Sequence, residues 1–201
     1  MIKRLLLGLL VLLLLLAAVL AATLRKGSRQ IDVAPIAELP VDKQAAAAHL
    51  SEAVQARTIS SRTDPAQNAD QFARLQAMLQ ERYPKAHAVL KREIISDLSL
   101  LYTWQGSDPK AKPIMLMAHQ DVVPVSPGTE DKWVAEPFAG TIRDGFVWGR
   151  GAWDDKGNLI AQMEAVEMLA ASGYRPERTI YLAFGADEEV AGERGAAKIA
   201  A

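Results

Sequence analysis

No cysteine occurs among the 201 residues, so disulfides and thiolate ligands are excluded, and any metal site must be assembled from histidine, aspartate and glutamate. Histidine is itself scarce, with only His49, His87 and His119. Neither sign of charge dominates, the formal net charge being −1. No basic stripe or arginine-rich run is present, which argues against a nucleic-acid surface and a nucleic-acid partner. Internal repeats are also missing.

Long apolar runs are few, but one is decisive. After the basic start Met1-Ile2-Lys3-Arg4, residues Leu5 to Leu24 carry no charge and are interrupted only by Gly8 and Thr23. Such a run spans roughly 30 Å as a helix, enough to cross a hydrocarbon core. Arg25, Lys26 and Arg29 close it. A cleaved signal peptide has a shorter apolar region, about 7–15 residues, so the length favours a retained signal anchor, with weak small-residue cleavage sites near Ala21 and Ala22 as the alternative. Basic residues at both ends leave the orientation open. Without Lys3, Arg4, Arg25 and Lys26, the 23 basic residues fall to 19 against 24 acidic ones, a formal charge of −5.

The organisation expected is a membrane segment at 1–26, a polar, proline-broken tether at 27–41, and a folded portion at 42–201. Asp42 is placed to cap a helix running to about Arg57, with Leu50 and Val54 on one face. Pro65 to Arg82 reads as a second helix bearing Phe72, Leu75 and Leu79, ended by Tyr83-Pro84. Val89–Ile95 and Leu98–Gln105 read as strands around a tight Ser96-Asp97 turn. Ile114–Ala118 reads as a strand buried on both faces. Phe146–Trp148 is a short strand, Gly157–Ser172 a helix with Ile160, Met163, Val166, Leu169 and Ala170 on one face, and Thr179–Phe184 another buried strand. The alternation predicts an α/β fold, a mainly parallel sheet flanked by helices.

Ligands in such sheets bind beyond the carboxyl ends of the strands. Three segments fall there: Ala118-His119-Gln120-Asp121, Gly149-Arg150-Gly151-Ala152-Trp153-Asp154-Asp155-Lys156-Gly157, and Asp187-Glu188-Glu189. All three are expected on one rim of one sheet. They supply the nitrogen and oxygen ligands, plus a spare carboxylate, that a hydrolytic zinc centre needs. In the adjacent pair Glu188-Glu189, one side chain can bind metal while the other faces a water. His119 and Asp121 suit an imidazole ligand with a carboxylate holding its other ring nitrogen. Asp154 suits a bridging ligand. Taken singly, each has a plainer reading: a structural histidine, a solvated Glu-Glu pair, an Asp154-Asp155 helix cap. Together, on successive strand ends, they point to a site. His49 and His87 read as surface residues. The four tryptophans, Trp104, Trp133, Trp148 and Trp153, read as packing residues, although Trp153 stands beside Asp154 and could line the site.

Leu116 to Pro124, Trp148 to Gly157 and Phe184 to Val190 together resemble the M20 family of zinc peptidases, most of all its carboxypeptidase S branch. The similarity runs from about Lys43 to the end of the chain. The branch includes membrane-tethered and secreted enzymes acting on peptides and N-acyl amino acids. The resemblance implies two Zn2+ ions, His119 on one, Glu189 on the other and Asp154 bridging both. Glu188 would be the general base and Asp121 would orient His119. A cis peptide is implied at Asp154–Asp155. The family also has a further acidic ligand, a final histidine ligand and a smaller lid or dimerisation domain, none of them within these residues. The chain is therefore expected to be an N-terminal fragment, inactive alone, of a membrane-anchored, extracytoplasmic carboxypeptidase or N-acyl amino acid hydrolase. Homodimerisation would run through the missing domain. The Gly position filled here by Ala191 reads as a minor departure. A membrane-tethered module without catalysis is the competing reading.

Overall fold

A computed structural model describes residues 2–24, 26–27, 31–35 and 39–201. The chain divides into two units, 1–40 and 41–201. The first holds helix α1, Ile2–Leu24, 23 residues with mean hydropathy 3.2 and no buried side chain, long and apolar enough to cross a membrane. Parts of the expected tether lie outside the described residues.

The second unit is an α/β layer. Helix α2 (Lys43–Gln55) starts where expected, because Asp42 Oδ1 accepts the backbone N–H groups of Gln44 and Ala45 at 3.1 and 3.0 Å. These are donors that no carbonyl within the helix can reach. Helix α3 (Ala69–Arg82) begins four residues later than expected, since 65–68 form turns and Asn68 sits at φ 58°. Its predicted face, Phe72, Leu75 and Leu79, is buried. Pro84 does more than stop α3. It occupies the first turn of a further short helix, α4 (Pro84–Val89), a position where its missing N–H costs nothing.

The main sheet contains β1 (Leu90–Ile95), β2 (Ser99–Trp104), β3 (Ile114–His119) and β6 (Ile180–Gly185), in the order β1-β2-β6-β3. The β1–β2 connection is 96–98, with Ser96 and Asp97 at positive φ. The α/β class stands, but the sheet is mixed rather than mainly parallel. β3–β6 is the parallel pair, while β1–β2 and β2–β6 are antiparallel. An apolar run marks a strand but carries no information about the direction of its neighbour.

β3 also departs from expectation. It is an edge strand, so Ile114 to Met117 are exposed, Met117 at 66%, and only Ala118 and His119 are buried. The fourth predicted strand, β5 (Phe146–Trp148), pairs with β4 (Thr141–Arg143) in a separate two-stranded sheet. The segment carrying Asp154 therefore does not leave the main sheet.

Helix α5 (Lys156–Ala171) lies against α2 and α4 through Leu159, Ile160, Met163 and Val166, whereas Leu169 is exposed. Its first residue, Lys156, is completely buried, and Nζ donates to the carbonyls of Ala53 and Ala56 at 3.0 and 2.5 Å. Burial pushes this ammonium down to about 7. The clamp ties the start of α5, and with it the loop before it, to the end of α2. His49 and His87 are half-buried rather than surface residues. His49 Nδ1 lies 2.6 Å from Glu164, and His87 Nε2 lies 3.1 Å from the Tyr102 hydroxyl.

Candidate metal centre

β3 and β6 run side by side in the same direction, with His119 opposite Gly185. Whatever follows each strand therefore emerges at one rim. After β3 come Gln120 and Asp121; after β6 come Ala186, Asp187 and a 3-10 turn at Glu188–Val190. Asp154 arrives from the β5–α5 loop. Gly151 lets that loop in: it sits at φ +84°, and a Cβ there would meet Val122 Cγ1 at 2.7 Å. The Asp154–Asp155 peptide is cis.

His119, Asp154 and Glu189 each present a ligand atom, all within 4.8 Å of one another. His119 is buried, and its Nε2 lies 3.0 Å from Asp154 Oδ1 and 3.7 Å from Glu188 Oε2. Its Nδ1 is 2.9 Å from the Asp121 carbonyl and 3.3 Å from Asp121 Oδ1. A carbonyl can only accept, so Nδ1 carries the hydrogen, and the neutral ring turns the Nε2 lone pair towards the cluster. Without a metal, burial lowers the imidazole pKa, but hydrogen bonds and charge from Asp121 and Asp154 outweigh this and raise it to about 9.

Asp121 is fully buried and does more than face the histidine. Its two carboxylate oxygens accept the backbone N–H of Glu188 and of Glu189, each at 3.1 Å, and the hydroxyl of Ser60 at 2.7 Å. Burial alone would raise its pKa; hydrogen bonds from His119, Ser60 and Glu189 bring it below the usual carboxylate value. Glu189 is displaced upward, first by burial and then by the charges of Asp154, Asp121 and Glu188, with His119 opposing.

Sequence reasoning missed two participants. Ser60 lies 61 positions before Asp121 and reaches it because Ile59 bridges to Val122; no local pattern signals this. Asp155 occupies the cap position of α5, but its carboxylate takes the His119 N–H at 3.2 Å instead of capping the helix. The tryptophans also divide. Trp104 packs in the core, whereas Trp153 is 93% exposed and does not pack. Ala191 stands at φ 94°, a region that favours glycine, so this departure is more than minor.

The donor set, one imidazole and two carboxylates with no sulfur, suits a divalent ion with nitrogen and oxygen ligands. The crowding that displaces Glu189 is relieved by a cation. The site residues fit such an ion.

The profile of the Peptidase family M20/M25/M40 matches residues 115–201. The chain belongs to this family. It is 43% identical over 168 residues to carboxypeptidase S of Saccharomyces cerevisiae, covering 80% of this chain and 29% of that protein. It is 40% identical over 154 residues to an N-fatty-acyl-amino acid synthase/hydrolase of Mus musculus, covering 76% and 30% respectively. Human carnosine dipeptidase 1 shares the fold, with TM-score 0.59 and 23% identity over 76% of this chain and 34% of that one. The chain thus spans less than a third of the length of these curated relatives. Peptidases of the M20 family are metal-dependent, in keeping with the His/Asp/Glu cluster.

Proposed function

We propose that the protein containing this chain is a zinc-dependent amidohydrolase of the carboxypeptidase type, releasing an amino acid from a peptide or an N-acyl amino acid. The observation that carries this reading is the convergence of ligand atoms of His119, Asp154 and Glu189 within 4.8 Å, with the Glu188 carboxylate 3.7 Å from His119 Nε2. The carboxypeptidase and N-acyl amino acid relatives support the substrate class.

In this reading His119, Asp154 and Glu189 would hold the zinc, expected as two ions, with Asp154 shared between them. When bound, the metal supplies Lewis acidity at the substrate carbonyl and lowers the pKa of water. Glu188 takes the proton from the attacking water at its carboxylate and returns it to the leaving nitrogen. Its side chain is 60% exposed and has no hydrogen-bond donor among the described residues, so it is free to move between those two positions. Its backbone is not free, because Asp121 holds the N–H groups of both glutamates. The Asp121 carbonyl keeps the His119 hydrogen on Nδ1. Segment 1–26 serves as the membrane anchor and 27–41 as the tether, with 42–201 forming the N-terminal part of an extracytoplasmic catalytic domain.

The test is Glu188→Gln in the protein that carries this chain. Turnover should fall by roughly 10²–10⁴-fold, the usual contribution of a general base, while bound zinc stays at the wild-type stoichiometry. Unchanged turnover removes Glu188 from the proton-transfer role, and loss of zinc would make it a ligand instead.

A further inference from the structure

His119 and Asp121 both serve the metal cluster, and the residue between them points the other way, because successive side chains of an extended segment alternate sides. That residue is Gln120, and it is completely buried. Every polar group it carries has a partner. Its Nε2 donates to the carbonyls of Leu98 and Phe184, each at 2.9 Å, and its Oε1 accepts from Gln76 Nε2 at 3.1 Å. A carbonyl can only accept, so the NH2 end of the amide faces Leu98 and Phe184 and the orientation of the side chain is fixed. In the backbone, the Gln120 N–H donates to the Gly185 carbonyl at 2.7 Å, and the Gln120 carbonyl accepts the Thr58 hydroxyl at 2.6 Å. The side-chain partners lie on separate elements: Phe184 in β6, Leu98 in the β1–β2 turn and Gln76 on α3. Gln76 is held in turn, its Nε2 donating to the Leu98 carbonyl at 2.8 Å and its Oε1 accepting from Arg92 Nη2 at 2.7 Å. At this rim the backbone pairing of β2 with β6 ends at Leu100 and Phe184. Side chains take over there, Gln120 on the Phe184 carbonyl and the Ser99 hydroxyl on the Ala186 N–H at 3.1 Å.

We infer that Gln120 is a positioning residue for the metal cluster: its amide fixes the backbone between His119 and Asp121 against the strand that leads to Glu188 and Glu189. The inference rests on the metal-dependent reading and adds a residue to it. Geometry is the first argument. His119 and Glu189 follow different strands, so the separation of their ligand atoms depends on how the end of β3 sits on the end of β6. The bond from the Gln120 N–H to Gly185 sets the spacing of the two segments but leaves the segment after β3 free to roll about its own axis. The side-chain bonds to Phe184, Leu98 and Gln76 remove that freedom from the side opposite the cluster. A roll would swing the His119 imidazole and the Asp121 carboxylate together, whereas ligands must be held within about 0.5 Å of their working positions. Chemistry is the second argument. Packing alone would be served by a leucine or methionine of similar size, and a buried amide is tolerated only when its hydrogen bonds are made. A fully bonded buried amide specifies one arrangement of the segments around it, which an apolar side chain does not.

The test measures zinc affinity, and the visible absorption of the cobalt(II)-substituted form, in the protein that carries this chain. Gln120→Met keeps the side-chain volume and removes the amide. Its zinc dissociation constant should rise by about 10–100-fold, the usual effect of disturbing the groups that hold ligands, and its cobalt bands should shift because they report ligand geometry. Gln76→Met removes one of the three side-chain bonds of Gln120 from α3, without touching the segment that carries the ligands. It should move both readouts in the same direction and by less, and it decides the matter if the first variant does not fold. Leu79→Ala, one turn farther along α3 and fully buried, is the control for lost stability. It should lower Tm while leaving the zinc dissociation constant within about twofold of wild type. If Gln120→Met weakens zinc no more than Leu79→Ala does and leaves the cobalt bands in place, Gln120 is structural only and the inference is overturned. Failure of both glutamine variants to fold overturns it as well, since the network would then serve folding rather than the cluster. A wild type that binds no zinc removes the metal-dependent reading and this inference with it, whereas a wild type that binds zinc no better than the two glutamine variants removes the inference alone.

Discussion

Replacing Asp121 by asparagine tests how the two site-bearing strands are held together. In the wild type, Oδ1 of Asp121 accepts from the Glu188 N–H and lies 3.3 Å from His119 Nδ1, while Oδ2 accepts from the Glu189 N–H and the Ser60 hydroxyl. Asparagine keeps one acceptor oxygen and turns the other position into a donor. If the amide NH2 takes the Oδ2 place, the Ser60 hydroxyl can rotate and accept, but the Glu189 N–H then faces another N–H. One hydrogen bond to a charged acceptor is lost and one partly buried donor is left unpaired, about 2–4 kcal/mol together. For a domain of this size that corresponds to a fall in Tm of roughly 5–15 °C. Thermal unfolding in the presence of a chelator isolates this effect from metal loss. Zinc affinity should also weaken by about 10–100-fold, the usual consequence of disturbing the groups that hold ligands. The His119 tautomer should not change, because its Nδ1 hydrogen bond goes to the Asp121 backbone carbonyl, which asparagine retains. A Tm within 2 °C of wild type, with zinc affinity within about twofold, would refute the clamp.

Three further outcomes are expected. Zinc at about 100 times its dissociation constant should stabilise the protein by about 2.7 kcal/mol, and His119→Ala should abolish the zinc-dependent rise in Tm; a rise that persists in the variant would place the metal elsewhere. Tyr83 is fully buried with its hydroxyl 2.9 Å from Glu164, and burial followed by the Glu164 charge raises its pKa. A raised folded-state value means stability that is complete below the unfolded value of about 10 and lost as pH rises above it. The stability advantage of wild type over Tyr83→Phe, measured by urea denaturation, should therefore shrink by roughly 1 kcal/mol between pH 10 and 11, and a constant difference would contradict the assignment. Ala191 at φ 94° suffers the left-handed penalty of about 1–2 kcal/mol, partly offset by the greater unfolded-state entropy of glycine. Ala191→Gly should accordingly raise stability by about 0.5–1 kcal/mol, and a destabilised variant would show that the turn is relaxed as it stands.

Much of the architecture was legible in the chain. Asp42 as a cap, Phe72-Leu75-Leu79 as a buried helical face and the strands before His119 and Glu188 are all set by side chains within a few residues of one another, and local signals are what a sequence displays. The errors share one cause. Ile114 to Met117 form a continuous apolar run, and whether such a strand has one neighbour or two depends on segments distant in the chain. Phe146–Trp148 reads as a strand whichever sheet it joins. Asp155 looks like a helix cap because its tertiary partner, the His119 N–H, lies 36 residues away.

By itself, then, the sequence determined the apolar N-terminal span, the α/β alternation, and the exclusion of sulfur ligands that leaves a metal site to His, Asp and Glu. It also brought the acidic and imidazole residues to the ends of apolar runs, because backbone hydrogen bonding and burial act over a few residues. Only the tertiary structure decided that β3 and β6 are parallel neighbours, so that His119 and Glu189 share a rim. It alone brought Asp154 in from a separate sheet through a turn that Gly151 permits, seated Ser60 on Asp121, and left Trp153 exposed beside the cluster. Those outcomes depend on packing between segments far apart in the chain, and the energy of such contacts is written in no single stretch of it.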